Sequence, residues 1–226
     1  MTDAHCHVSG GEPGVRELII GRDFVGIHPW ETLAADFDAQ ARLAEVEARL
    51  TANPALGVGE IGLDRMKTRE IPEVMRTVFA RQLEMAIRLN RPLVLHGAKC
   101  WGQVVEAVRR EKNTRGMLFH GFSRSGGLIP DIVALGGYIS VGPAILNDHA
   151  VNYRELVKRI PRERLLIETD RDTALAAGEV AIGEVAEGKG APTIGEVAEG
   201  LAKVLGVTVA ELEALTDDNA ARFYYV

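Results

Sequence analysis

Short apolar runs alternate along this chain with longer amphipathic stretches, and most of the runs end in a histidine or an acid. Leu56-Gly57-Val58-Gly59-Glu60, Pro92-Leu93-Val94-Leu95-His96, Gly116-Met117-Leu118-Phe119-His120 and Leu165-Leu166-Ile167-Glu168-Thr169-Asp170 each read as a buried parallel strand with a donor at or near its C-terminal end. The opening run, Asp3-Ala4-His5-Cys6-His7, has the same character. Side chains at i and i+2 of a strand share a face, so His5 and His7 project together with Asp3 behind them, while Cys6 points to the outer side as a small apolar residue. Further strands are expected at Val15 to Ile20, Phe24 to His28 and Tyr138 to Val141, which makes eight.

The intervening stretches carry helical spacing. Leu43, Val46 and Leu50 share one face, Met75, Phe79, Leu83 and Ala86 with Ile87 another, and Trp101, Val104, Val105 and Val108 a third. Helices are also expected near Gly127 to Leu135, Val151 to Arg159, Ile194 to Leu205 and Val209 to Leu215. Strand and helix in alternation predict an α/β protein, a TIM-like (β/α) barrel whose strand ends gather the donors. Too few residues separate His7 from Val15 for a crossover helix, so the barrel should be distorted or shortened near its N-terminus, with its first outer helix missing.

At 226 residues the chain is expected to form one domain over 1–226. The segment 174–192 is rich in Gly, Ala and Glu, and Ile182 to Gly188 recurs as Ile194 to Gly200. It reads as a mobile loop or a marginal helix before the final helices, with a lid over the site as the functional alternative. No apolar stretch is long enough to span a bilayer, and no room for a cleavable leader precedes His5, so the expectation is a cytoplasmic protein with no membrane contact. Two cysteines, Cys6 and Cys100, are too few for a disulfide framework.

A formal charge of −6 argues against broad adhesion to nucleic acid, but the loops after the strands carry Arg65, Lys67, Arg69, Lys99, Arg124 and Arg171. Those cations form a candidate phosphate rim, with Lys99 and Arg124 the preferred pair. Gly126-Gly127 and Gly136-Gly137 are turn residues with no catalytic role. The six strand-end donors His5, His7, Glu60, His96, His120 and Asp170 offer nitrogen and oxygen ligands suited to Zn, Mn, Fe or Ni, and the carboxylates also suit Mg.

The landmarks Asp3 to His7, Gly26-Ile27-His28-Pro29-Trp30, Gly57 to Asp64, Arg91 to His96, His120-Gly121-Phe122-Ser123 and Glu168-Thr169-Asp170 stand in an order that resembles the TatD-type metal-dependent deoxyribonucleases and hydrolases, which are amidohydrolase-like barrels. Asp217 to Phe223 is similar to that family's last helix. The resemblance implies two divalent ions, with His5, His7 and Asp170 at one, His96 and His120 at the other and Glu60 between them. It places His28 toward the substrate. Asp170 and Glu60 are the candidate catalytic carboxylates, Asp170 as base because a carboxylate beside a metal-bound water is placed to take its proton, and Lys99, Arg124 and Asp64 are further candidates on the substrate side. Asp64 is expected to back a ligand or fix its loop rather than ligate. Trp30 is open to base stacking or to packing.

The chain departs from the family in carrying Gly97-Ala98-Lys99 after His96, where an arginine is usual, and Arg171-Asp172 after Asp170, where a small residue and a proline are usual. The implied activity is metal-dependent hydrolysis of phosphodiesters, with DNA or another phosphodiester as partner. Ester or amide hydrolysis is the enzymatic alternative, and a non-enzymatic metal-binding or assembly role the other.

Overall fold

The computed structural model describes residues 1–111, 115–172 and 191–225. Eight strands occur in it: β1 (Thr2–Cys6), β2 (Arg16–Ile19), β3 (Phe24–Val25), β4 (Gly57–Asp64), β5 (Leu93–Ala98), β6 (Met117–Phe119), β7 (Tyr138–Val141) and β8 (Leu165–Ile167). β3 to β8 form a parallel sheet in sequence order, and β1 pairs in parallel with β2. Local contacts close the circle. Ile20 bridges Phe24 between β2 and β3, and the Asp170 amide donates to the His5 carbonyl across the seam between β8 and β1 (3.0 Å). The buried Asp3 carboxylate reinforces that seam by accepting from the Thr169 amide (3.0 Å) and hydroxyl (2.6 Å). Burial without a cationic partner pushes the Asp3 carboxyl up to about 7, although Thr169 and the His5 amide hold part of it down.

Outside the barrel lie α1 (Ala39–Ala52), α2 (Glu73–Arg88), α3 (Trp101–Glu111), α4 (Ile129–Ala134), α5 (Val151–Val157), α6 (Ile194–Leu205) and α7 (Val209–Tyr225). Their starts follow from the sequence. Asp38 caps α1 by accepting from the Ala41 amide (3.0 Å), and Thr193 with Glu196 forms a reciprocal capping box on α6, which ends at Gly206 in the left-handed region (φ 66°). The last helix runs ten residues beyond the predicted Leu215, and this extension seals the barrel.

The apolar residues divide by strand face. Leu93, Leu95, Met117, Phe119, Ile139, Val141, Leu165 and Ile167 pack outward against the helices, joining Leu50, Phe79, Val104 and Val197 in the larger core. The alternate positions Val94, Leu118, Tyr138 and Leu166 face inward and form a second cluster with Phe24, Ala220 and Phe223. Phe223 of α7 stacks on Phe24 (centroids 6.0 Å apart) and closes the lower end of the barrel. The approach is so close that a side chain at Gly116 would collide with the Phe223 carbonyl, which is why a glycine stands there.

The missing outer helix is found as expected between β1 and β2. A second is also absent: only Ile20 to Asp23 connect β2 to β3, with the Gly21 amide bonded to the Phe24 carbonyl (2.8 Å). The three-residue spacing between the two predicted strands already required this, since a turn of that length holds no helix. Cys6 faces away from the donors as expected but is fully buried, with its thiol 3.9 Å from the Leu18 carbonyl. The stretch 174–192, read as a mobile loop, lies outside the described residues except for Ala191 and Pro192.

Candidate metal centre

Two residues beyond the inward apolar layer, the same strands present polar groups: His96 above Val94, His120 above Leu118, Ser140 above Tyr138 and Glu168 above Leu166. From β1 come His5 and His7, from β4 Glu60, and from the end of β8 Asp170. All six predicted donors converge, and Glu60 is their centre. Its Oε2 lies 3.2 Å from His7 Nε2 and 3.7 Å from His5 Nε2. Its Oε1 lies 2.5 Å from His96 Nδ1 and 2.6 Å from His120 Nε2. Asp170 Oδ1 completes the first group, 3.2 Å from His5 Nε2 and 3.8 Å from His7 Nε2. The two oxygens of one carboxylate thus face two sets of imidazoles.

Both His5 ring nitrogens, Glu60 Oε2 and His120 Nδ1 are buried without a hydrogen-bond partner among the described residues. Buried polar atoms are ordinarily paired, and an unpaired cluster of this kind fits a cation. His5, His7 and Glu60 can bring three ligand atoms within 4.8 Å of one another, as can His5, His120 and Asp170. The donor set therefore fits divalent metal.

The charges within the cluster are displaced accordingly. Burial pushes His5 down to about 4, with His120 nearby adding to the effect. His120 goes the other way: burial opposes its charge, but the Glu60 carboxylate outweighs it and raises the imidazole to about 10. Burial disfavours the Glu60 anion, yet His120, His7 and His96 hold its carboxyl well below the usual range. Burial raises Glu168 to about 8 despite His120 beside it.

His28 also reaches the cluster, with Nε2 3.6 Å from Glu60 Oε1, and it groups geometrically with Glu60 and His96. Its chemistry differs from theirs. Nδ1 accepts the Trp30 amide hydrogen (3.1 Å) as His28 caps the helical turn Pro29–Leu33, and burial lowers its pKa to about 4. A neutral ring that accepts at Nδ1 carries its hydrogen on Nε2. The nitrogen facing the cleft is a donor of hydrogen, not of a lone pair, which suits substrate contact.

Asp64 is buried behind His96, its Oδ2 2.8 Å from His96 Nε2, while Oδ1 accepts the Met66 amide (2.5 Å). This places Asp64 behind the His96 ring and at the turn to Met66, and with its side chain buried it does not line the open cleft expected for a substrate contact. Glu168, to which sequence reasoning assigned no role, accepts from the Ser140 hydroxyl (2.6 Å) and the Gly121 amide (2.7 Å) and so anchors the loop after His120. Its position two residues before Asp170, on the same strand face, was the available signal.

Apart from Arg69, which is exposed but does not line the cleft, the cations of the predicted rim separate into two kinds. Lys67 sits over the Trp30 ring (3.6 Å), Arg65 reaches the Arg69 carbonyl, and Arg171 is half-enclosed against Glu12 (3.4 Å) and the Pro192 carbonyl (3.1 Å). Lys99 and Arg124 are exposed, have no ion pair among the described residues, and line a cleft of about 560 Å³ with His96, His120 and Asp170. Trp30, 42% exposed, stands edge-on to His28 at the rim. Cys100 is buried, its thiol 3.1 Å from the Leu63 carbonyl, and takes no part in the cleft. Lys99, Arg124 and Asp170 all have left-handed backbone (φ 57°, 62° and 49°), a conformation that costs a side-chain-bearing residue about 1–2 kcal/mol.

The sequence profile described as TatD related DNase matches residues 22–225. A putative deoxyribonuclease of mouse, TATDN3, is 29% identical over 209 residues, covering 88% of this chain and 68% of its own. The uncharacterized metal-dependent hydrolase YcfH of Escherichia coli K12 is 28% identical over 225 residues, covering 94% and 78%. For the hydrolase YabD of Bacillus subtilis the figures are 28% identity, 68% of this chain and 61% of the relative, so this chain spans less than two thirds of that protein. Among solved structures, the TatD homologue YjjV of E. coli superposes with a TM-score of 0.75 at 23% identity over 96% of this chain and 79% of the other, a likeness of fold. No described helix is long and apolar enough to cross a membrane.

Proposed function

Because the chain belongs to the TatD-related DNase family, we propose that it hydrolyses phosphodiester bonds of DNA with the help of two divalent metal ions, Zn, Mn or Mg. The observation that carries this reading is the division of Glu60, whose Oε2 faces His5 and His7 and whose Oε1 faces His96 and His120. In this reading His5, His7 and Asp170 would hold one ion and His96 and His120 the other, with Glu60 placed between the two sets. Bound ions would supply Lewis acidity to a water and positive charge beside the phosphate.

The chain's own residues do the rest. Asp170, held ionised by His5 beside it against the effect of burial, accepts the proton of the attacking water. Lys99 and Arg124 meet the non-bridging phosphate oxygens, and His28 donates its Nε2 hydrogen to the substrate. Asp64 holds the His96 ring by Nε2, so that Nδ1 faces Glu60 and would be the nitrogen free for a metal.

The test is a reload experiment. Protein stripped by a chelator and resupplied with Zn, Mn or Mg should cleave an oligodeoxynucleotide to products ending in a phosphate monoester. Glu60→Ala should lose that cleavage while keeping its circular dichroism spectrum. Release of a carboxylic acid from acyl esters, with the oligonucleotide left whole, would replace this reading by ester or amide hydrolysis.

A further inference from the structure

The cleft that holds the donors shares part of its wall with a neighbouring cavity. Ser123 and Arg124 also line a second cavity of about 820 Å³, whose other walls include His149, Asn152, Tyr153 and Arg159. Each cavity alone falls in the range of small-ligand sites, about 300–1,000 Å³. With Ser123 and Arg124 as a common wall the two cavities adjoin, and together they offer more room than a single ester needs. Resting on the phosphodiesterase reading, we propose that the second cavity binds the polynucleotide strand flanking the scissile phosphate, with Arg124 at the junction and Arg159 beyond it as phosphate partners.

The distribution of charge supports a polyanion. Arg124 and Arg159 are exposed and have no ion pair among the described residues. The acid in the wall is already engaged: Glu155 pairs with Lys158 at 2.6 Å. Asp148, next to His149, pairs with Arg154 at 2.6 Å. Positive groups are left unmatched where negative ones are neutralised, and such a surface attracts phosphates without reading base identity.

The backbone is shaped to the same end. Arg159 lies across the chain at Gly126, its Nη1 2.9 Å from where a Cβ on that glycine would stand. Arg124 keeps its left-handed conformation (φ 62°) two residues earlier. Arg124 and Arg159 thus line the same cavity although their elements are remote in sequence.

The test is fluorescence anisotropy on metal-free full-length protein, where no cleavage interferes, with a labelled oligothymidylate of about ten nucleotides and a labelled dinucleotide. The longer probe should bind more tightly than the dinucleotide. Arg159→Glu should weaken the longer probe by about tenfold or more and lower the salt dependence of its binding by about one unit in log–log slope. Dinucleotide binding should change far less, and Arg159→Lys should restore most of the loss. Equal affinity for the two probes in the wild type, or an unchanged long-probe affinity in a folded Arg159→Glu variant, overturns the proposal. Should no metal support cleavage while the Arg159 effect persists, the hydrolase reading falls and the polynucleotide-binding cavity stands.

Discussion

The two ends of the barrel are made by the same strands and differ by one period of the pleat. Val94 and His96, Leu118 and His120, Leu166 and Glu168 are each two residues apart on one face. Below, the side chains are hydrocarbon and Phe223 caps them; above, they are titratable groups whose ionisation is displaced in both directions. Burial stabilises the lower end, because apolar surface leaves water. At the upper end burial is costly, since it removes charges from water and leaves buried atoms unpaired. Stability and chemistry are therefore separated along the barrel axis.

The sharpest test of that separation is a crossed pair. Phe223→Ala should cost about 3–5 kcal/mol and lower the thermal midpoint by roughly 10 °C, with turnover per folded molecule retained. Glu60→Ala should abolish turnover in protein that still folds, and any loss in its midpoint near neutral pH should trace to His120, which loses the carboxylate that holds it charged. If the folded Phe223→Ala protein were inactive, the two ends would act as one unit.

A smaller effect is expected one layer behind the donors. Asp64→Asn keeps an acceptor for the Met66 amide but offers His96 Nε2 no anion. Metal affinity, measured by competition with a chromogenic chelator, should fall about 10–100-fold. Unchanged affinity would mean that the ring needs no support from behind.

The smallest effect is a matter of protons. The His120 pKa rises from 6.5 to about 10 in the folded protein. Its pairing with Glu60 therefore stabilises the metal-free protein fully below about pH 6.5, and the contribution fades as pH rises through about 10. At about pH 7 metal uptake must displace that proton. Calorimetry in two buffers of different ionisation heat should show about one proton fewer released by His120→Ala than by the wild type. Equal release would place His120 outside the ligand set.

Much of the upper end was legible because a strand's alternation is strict: from His5 and His7 at i and i+2, or from a histidine closing an apolar run, the shared direction follows without knowledge of partners. The predicted barrel and its thin front followed from spacing alone. Phe223 as a lid was hidden, since its partner Phe24 lies almost the whole chain away and no local periodicity links them. The tautomer of His28 was hidden too, because it depends on the amide of Trp30 in a helical turn that Pro29 starts. The division of the basic residues into tethered Lys67 and Arg171 and untethered Lys99 and Arg124 required side-chain contacts that spacing does not encode.

Lys99, Arg124 and Asp170 share a backbone shape in which glycine would sit with less strain. Selection of variants for heat resistance alone would push the mouth of the barrel toward glycine and strip it of an ammonium, a guanidinium and a carboxylate. A sturdier but chemically mute enclosure would result, because at these three places the polypeptide's ease and its reactivity pull in opposite directions.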